Sequence, residues 1–252
     1  MGPFLFMRLF NKEDWEFGPD SKMVILTGAG ISEPSGIPTF RTGEDALWLN
    51  YPVEEIAYPR GLESNREQFI EFYNKARKMT STCVPNKGHD IINELQEEFG
   101  AYLITQNIDD LHERAGSYQV THMHGSLFES VCQGEYEHIF QEPVTQVVDK
   151  PCPHCYHLLR PNVTLFTEEP QYMDEIYDKL DECTHLVLVG TSGEVYPAAE
   201  FKKYVGKKRS QRSTRRAKVL NINIDIERDK HVQFYLQETA VDGLNTLYNA
   251  LI

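Results

Sequence analysis

The chain has 252 residues, 40% of them apolar and 11% aromatic, which suffices for one large domain, or one domain with a smaller inserted module, around a sizeable core. No apolar run is long enough to span a bilayer, and Met1–Met7 is too short for a signal peptide and carries Phe6 where myristoylation wants Ser or Thr. A net charge of −13 argues against general nucleic-acid binding, and five cysteines (an odd number) argue against a disulfide framework, so a cytoplasmic protein in a reducing compartment is expected.

Met23–Thr27 reads as a buried strand that breaks directly into Gly28–Arg41, GAGISEPSGIPTFR. A strand opening into glycines is where a doubly wound α/β protein places a phosphate, because the backbone turns tightly there and approaches the ligand. The spacing is not the dehydrogenase G-x-G-x-x-G: after Gly28 and Gly30 the next glycine is Gly36. Pro34, Pro38, Phe40 and Arg41 instead predict a loop that folds over its ligand. Residues 44–82 then carry Trp48, Tyr51, Tyr58, Phe69, Phe72 and Tyr73 in a helical pattern with no strand.

Asn86–Phe99 reads as an amphipathic helix and Ala101–Thr105 as a second strand, ending in Gln106-Asn107-Ile108-Asp109. Amides and a carboxylate at a strand's carboxyl end suit ribose hydroxyls and a carboxamide; capping of the next helix by Asn107 or Asp109 is the plainer alternative. A β-like Gln119–Thr121 leads into His122-Met123-His124-Gly125-Ser126. His124, beside the backbone freedom of Gly125, is the candidate general base, and His122, on the other strand face, reads as structural.

Residues 126–160 have no clear period but contain Cys132 and the pair Cys152-Pro-His-Cys155, half of a tetrahedral zinc knuckle. Glu135 stands where a fourth cysteine belongs; its oxygen, or a nitrogen of His138, would complete a structural zinc site, and buried thiols without metal are the alternative. Val163–Phe166, Leu186–Gly190 and Val219–Ile224 read as further parallel-type strands, Pro170–Asp181 as a helix, and Val241–Ile252 as a closing helix. Gly190-Thr191-Ser192, Asn223 and Asp225 sit at strand ends and suit a phosphate or the adenosine ribose, with turn chemistry as the alternative. Lys202–Lys218 holds nine Lys or Arg and no acid: a solvated basic loop, or a nuclear-import signal or anionic-partner site. Strands alternating with helices imply an α/β fold with a parallel sheet covered on both faces.

Taken together, these motifs resemble the sirtuins, a family of NAD-dependent protein deacylases. The resemblance rests on GAGISEPSGIPTFR (28–41), Pro85-Asn86-x-x-His89 with Leu95, TQNIDDLHERAG (105–116), HMHGS (122–126), CPHC (152–155), LRPNVTLFTEEP (159–170), GTSGEVYPAA (190–199) and Ile222-Asn223, in the family's order. It implies a Rossmann-type NAD-binding domain at 20–43, 83–125 and 160–252. A smaller lobe would comprise a helical insert, 44–82, and a zinc-binding module, 126–159, with 1–19 as an N-terminal extension. NAD and an acyl-lysine peptide would lie between the lobes, with no membrane partner. Gly28, Ala29, Gly30, Ser32, Phe40 and Arg41 would line the cofactor loop. Gln106, Asn107, Ile108 and Asp109 would order the nicotinamide ribose, with Asp109 on the carboxamide and His124 as base. Gly190, Thr191, Ser192, Asn223, Asp225 and Ala240 would hold the adenosine half, and Val163, Phe166 and Val195 would border the peptide slot.

Three departures from the family pattern stand out. Thr167 replaces the glycine of a Phe-Gly-Glu string beside the peptide slot, and Glu135 replaces a zinc cysteine. Tyr73 matches the acidic-acyl readers, but Ala76 stands where they carry Arg, and Arg77 is one residue late, about 100° round a helix. Deacetylation is therefore expected ahead of desuccinylation. NAD hydrolysis or mono-ADP-ribosyl transfer on the same NAD site is the alternative, and a non-enzymatic NAD-sensing module a third.

Overall fold

The structure, a computed structural model, describes residues 8–38, 51–134, 138–142, 145–191, 196–207, 216–226 and 228–252. In chain order the elements are β1 (Arg8–Leu9), α1 (Lys12–Trp15), β2 (Met23–Thr27), α2 (Val53–Ile56), α3 (Pro59–Ser64), α4 (Arg66–Thr82), α5 (Lys87–Phe99), β3 (Tyr102–Thr105), α6 (Leu111–Arg114) and β4 (Thr121–His122). There follow β5 (Gly125–Cys132), β6 (Ile139–Gln141), β7 (Leu159–Val163), α7 (Met173–Glu182), β8 (His185–Val189), α8 (Ala198–Lys207), β9 (Lys218–Ile222), β10 (Phe234–Leu236) and α9 (Ala240–Leu251).

Among the described residues, seven strands form a sheet in the order β1-β10-β9-β8-β2-β3-β4, and every pairing in it is parallel. The central strands β2, β3 and β8 are largely apolar because both faces are covered. Ile25, Leu103, Val187 and Leu220 pack with Ile91 and Leu95 of α5 and Leu244 and Leu247 of α9. Their neighbours Leu26, Ile104, Leu188 and Val219 pack on the other side with Ile176 of α7 and Phe201 of α8. Period-two alternation thus sorts one continuous apolar run into two cores. After β2 the chain builds outward through β3 and β4, and from β8 it builds the other way. The carboxyl ends of β2, β3 and β8 therefore meet at the switch point where α/β sheets bind ligands.

A second sheet, β6-β5-β7, is antiparallel. It packs against the helices of 53–82 through a core of Ile56, Phe69, Phe72, Tyr73 and Leu127. Asn65 starts α4 by accepting from the Gln68 N–H at 3.2 Å. Two arginines of α4 fasten it to the second sheet and the segment that follows. The Arg66 guanidinium donates to the carbonyls of Val148 and Leu159, and Arg77 donates to the Leu127 carbonyl at 2.5 Å and the Asn74 side chain at 2.8 Å.

The architecture departs from the sequence reading at the edges. The strand expected at Val163–Phe166 ends at Val163 and belongs to the small antiparallel sheet; Val163 and Leu165 are apolar because they bury against α4, not because they enter the parallel sheet. The helix expected from Pro170 begins at Met173, since the Gln171 N–H is committed to the Met123 carbonyl and Tyr172 turns through φ +59°. β1, β4 and β10 are two or three residues long, too short to show a period. Residues 8–17 also join the main sheet: β1 pairs with β10, and Trp15, 1% exposed, sits in its core.

Candidate active site

The loop after β2 is built by close approach to the end of β8. A Cβ on Gly30 would lie 2.8 Å from the Gly190 Cα, while the Gly30 N–H donates to the Gly190 carbonyl at 3.0 Å. Gly190 itself has φ +58°. Two backbones touch here without side chains between them, which leaves the strand ends open to a ligand. A short 3₁₀ turn over Ala29–Ile31 then brings Ser32 inward, where it is 1% exposed.

Ser32 joins two segments far apart in the chain. Its hydroxyl donates to the Asp109 Oδ2 at 2.9 Å and accepts from the Asn107 Nδ2 at 3.0 Å; that same nitrogen lies 3.2 Å from the Gly28 carbonyl. The Asp109 Oδ1 accepts from the Leu111 N–H at 3.1 Å at the start of α6, the local contact of the plainer helix-start alternative, while its Oδ2 is the oxygen bonded to Ser32. Burial pushes the Asp109 carboxyl above its usual range, and the Leu111 N–H and Ser32 hydroxyl pull it back. Below this layer the Asn107 N–H rests on the Thr105 Oγ1 at 3.0 Å, which accepts from the Thr27 hydroxyl, and the His112 Nε2 touches the Thr27 Oγ1 at 3.0 Å. The sequence reading missed Thr27, Thr105 and His112 as supports, because nothing in their spacing marks residues 78 and 85 positions apart as partners.

The His124 Nδ1 lies 3.0 Å from the Gln106 carbonyl oxygen. A carbonyl only accepts, so the ring proton is on Nδ1 and the Nε2 carries the lone pair a general base needs. Burial lowers the imidazole below its ordinary pKa, partly offset by the Gln106 contact, which keeps the ring neutral. Gly125, at φ +77°, follows it; a Cβ there would meet the Asn162 carbonyl at 2.0 Å. His122 is held as structural: its ring bonds the Asn107 carbonyl at 2.9 Å and Glu113 at 2.7 Å.

On the other side of the switch point, the Asn223 Nδ2 donates to the Thr191 carbonyl at 2.7 Å, Ala240 begins α9, and Asp225 is exposed beyond β9. Gln106 and Ile108 are half-buried between these groups and the small lobe. Among the residues expected at the peptide slot, Phe166 is 45% exposed, whereas Val163 and Tyr73 are 3% and 4% exposed inside the small-lobe core. The Tyr73 hydroxyl donates to the Ile56 carbonyl at 2.9 Å, so this side chain is committed to packing and is not presented to a substrate. Arg77 is likewise fully buried, its donors spent on carbonyls and amide oxygens, and burial lowers its pKa to about 10. Phe40, Arg41, Ser192, Val195 and Glu135, with residues 208–215 of the basic segment, lie outside the described residues.

In the small lobe the ligand atoms of Cys132, His138, Cys152 and Cys155 all lie within 4.8 Å of one another. The His138 Nδ1 is 3.5 Å from the sulfurs of both Cys132 and Cys152. One tetrahedral zinc places its sulfur and nitrogen ligands about 3.5 Å apart, given Zn–S and Zn–N bonds of about 2.3 and 2.0 Å. Three thiols and an imidazole therefore fit zinc. Among the described residues, His138, the alternative to Glu135, fills the fourth corner.

A parallel α/β sheet with a glycine loop at its switch point, a buried Ser-Asn-Asp cluster and a neutral histidine beside them is the arrangement of α/β proteins that bind nucleotides at the ends of their strands. The profile of the Sir2 family matches residues 28–197. An NAD-dependent protein deacylase of Aquifex aeolicus is 38% identical over 235 residues, covering 91% of this chain and 95% of that protein. A crystal structure of a Sir2 homolog–NAD complex superposes with a TM-score of 0.79 at 34% identity, over 90% of this chain and 88% of that one. A Sir2 structure with a deacetylated p53 peptide and 3′-O-acetyl ADP-ribose gives 0.72 at 28%, over 90% and 92%. This chain belongs to the Sir2 family. No helix among the described residues is long and apolar enough to cross a membrane.

Proposed function

We propose that this chain is an NAD-dependent protein-lysine deacylase, with acetyl-lysine as its first substrate, that transfers the acyl group to ADP-ribose and releases nicotinamide. When bound, NAD supplies the ribose that accepts the acyl group. The observation that carries the reading is the locked tautomer of His124, whose Nε2 is poised to take a proton from a ribose hydroxyl. Asn107 and Asp109, cross-linked through Ser32, orient the sugar and the carboxamide and need no rearrangement when the ligand arrives. Gly28, Ala29 and Gly30 receive the phosphates, and Thr191, Asn223 and Ala240 the adenosine half. Phe166 borders the protein or peptide substrate. The resemblance gives Phe40 and Arg41 the role of excluding water, Ser192 and Asp225 that of holding the adenosine half and Val195 that of bordering the peptide.

Zinc, when bound by Cys132, His138, Cys152 and Cys155, is structural: the four side chains leave no open corner for chemistry. The parallel-sheet region and the lobe of 44–82 with 126–159 are taken as the two walls of the cleft.

The test is incubation with NAD, with and without an acetyl-lysine peptide, following nicotinamide and peptide mass. Nicotinamide release that requires the peptide, with a loss of one acetyl group, is the expected outcome. Release at the same rate without peptide would replace this reading by NAD hydrolysis, and transfer of ADP-ribose mass to protein by mono-ADP-ribosylation.

A further inference from the structure

The turn that follows β7 holds its central residue in a conformation its side chain disfavours. The Glu168 N–H donates to the Leu165 carbonyl at 3.0 Å, closing a four-residue turn with Phe166 and Thr167 at its centre. Thr167 has φ +82°, the value that the third position of a type II turn requires and that glycine supplies without strain. For a β-branched residue this region is a genuine outlier.

The surroundings hold the turn in place. The Glu168 carboxylate accepts from the Leu165 N–H at 2.8 Å and pairs with Arg160 at 3.0 Å, and the Phe166 N–H donates to the Ala57 carbonyl at 2.7 Å. Its two feet stand on the backbone of the proposed base and its neighbour: the Thr164 N–H donates to the His124 carbonyl and the Gln171 N–H to the Met123 carbonyl, each at 2.9 Å. Between the feet Leu165 is buried in the small-lobe core, and Phe166 and Thr167 are exposed at the tip.

Resting on the deacylase reading, we propose that Thr167 is a specificity-determining residue, whose branched side chain at the rim of the His124 cleft admits small residues beside the acyl-lysine and excludes bulky aromatic ones. Both feet of the arch are bonded to the backbone of His124 and Met123, so the arch and the histidine form one unit, and Thr167, exposed at its tip, stands beside the approach of a lysine that delivers its acyl group to His124. Backbone strain that is clamped by its neighbours marks a side chain kept for what it meets in the cleft.

The experiment compares the wild type, Thr167→Gly and Thr167→Val on two acetyl-lysine peptides that differ only in the flanking residues, alanine in one and tryptophan in the other. Dissociation constants from fluorescence anisotropy and kcat/KM are both measured. The wild type should favour the alanine peptide by about tenfold, the scale on which a pocket rejects added bulk, and Thr167→Gly should bring the ratio to within about twofold of unity. Thr167→Val, which keeps the branch, should retain the wild-type ratio. Thr167→Gly should also melt at a higher temperature, because relief of the positive φ outweighs the extra chain freedom of glycine. A ratio unchanged in Thr167→Gly, or lost in Thr167→Val, would overturn the proposal. Binding with the expected ratio but no deacetylation would overturn the deacylase reading alone, and binding of neither peptide would overturn both.

Discussion

The His124 Nδ1 and the Gln106 carbonyl oxygen are 3.0 Å apart, so the proposed base hangs from the residue that precedes Asn107 at the exit of β3. His124 and Asn107 thus sit side by side at the exits of β4 and β3, which pair in parallel, and the sheet sets their separation.

This arrangement predicts both a rate effect and a pH dependence. His124→Ala should lower kcat by about 10²- to 10⁴-fold, the range for a lost general base, while NAD binding by calorimetry persists. Because burial depresses the imidazole, its neutral form survives below the ordinary pKa of about 6.5. The acid limb of kcat/KM should fall below that value, and a limb above pH 7 would rule out His124 as the titrating base.

Two further histidines make the fold acid-sensitive. His89 and His112 have 0% exposure, and burial lowers His89 to about 4 and His112 well below its usual value. Both are neutral in the native state and protonated in the acidic unfolded chain. Their contribution is therefore present above about pH 6.5 and is lost as the pH falls towards 4, on the order of 3 kcal/mol for His89 alone. Urea midpoints measured from pH 7 to 4.5 should fall accordingly. Ring signals in NMR that show either histidine protonated at pH 6 would contradict the assignment.

The metal site distinguishes its two candidate fourth ligands. Metal analysis should find one zinc per chain, retained in His138→Cys and in Glu135→Ala but reduced in His138→Ala. Chelation should lower the melting temperature, since the small sheet has a thin core around Cys132, Cys152 and Leu159. Full zinc in His138→Ala combined with loss in Glu135→Ala would restore the glutamate as ligand.

Arg77 separates structure from acyl recognition. Arg77→Leu leaves the Leu127 carbonyl and the Gln146 side chain without a buried donor and should destabilise the protein by about 3 kcal/mol in urea unfolding. The ratio of succinyl to acetyl activity should not change, because the guanidinium faces β5 and does not reach a substrate. A selective loss of succinyl activity would reverse that conclusion.

Much of this was legible in the chain. The apolar runs at 23–27 and 186–190 gave the central strands, since a strand buried on both faces has no polar positions to obscure it. The glycine loop and the cysteine pair were legible because their chemistry is local in sequence. The run at Val163–Phe166 misled for the same reason: apolarity marks burial, but not which sheet or core does the burying. Tyr73, expected at the substrate, lies in the small-lobe core because helical spacing gives a direction round an axis and not what lies in that direction, whereas the offset of Arg77 agrees with its burial.

The sequence by itself determined a doubly wound α/β protein with a glycine loop after its first long strand, and it marked a histidine and a set of cysteines as candidates for chemistry, all consequences of residue type and short-range spacing. Only the tertiary structure decided the tautomer of His124, the Ser32 bridge between Asn107 and Asp109, the gathering of His138 with the three cysteines and the burial of Arg77. Each depends on partners fixed by how strands, turns and helices stack. The Ser32 hydroxyl meets a carboxylate 77 positions away because β2 and β3 pair in parallel and end together.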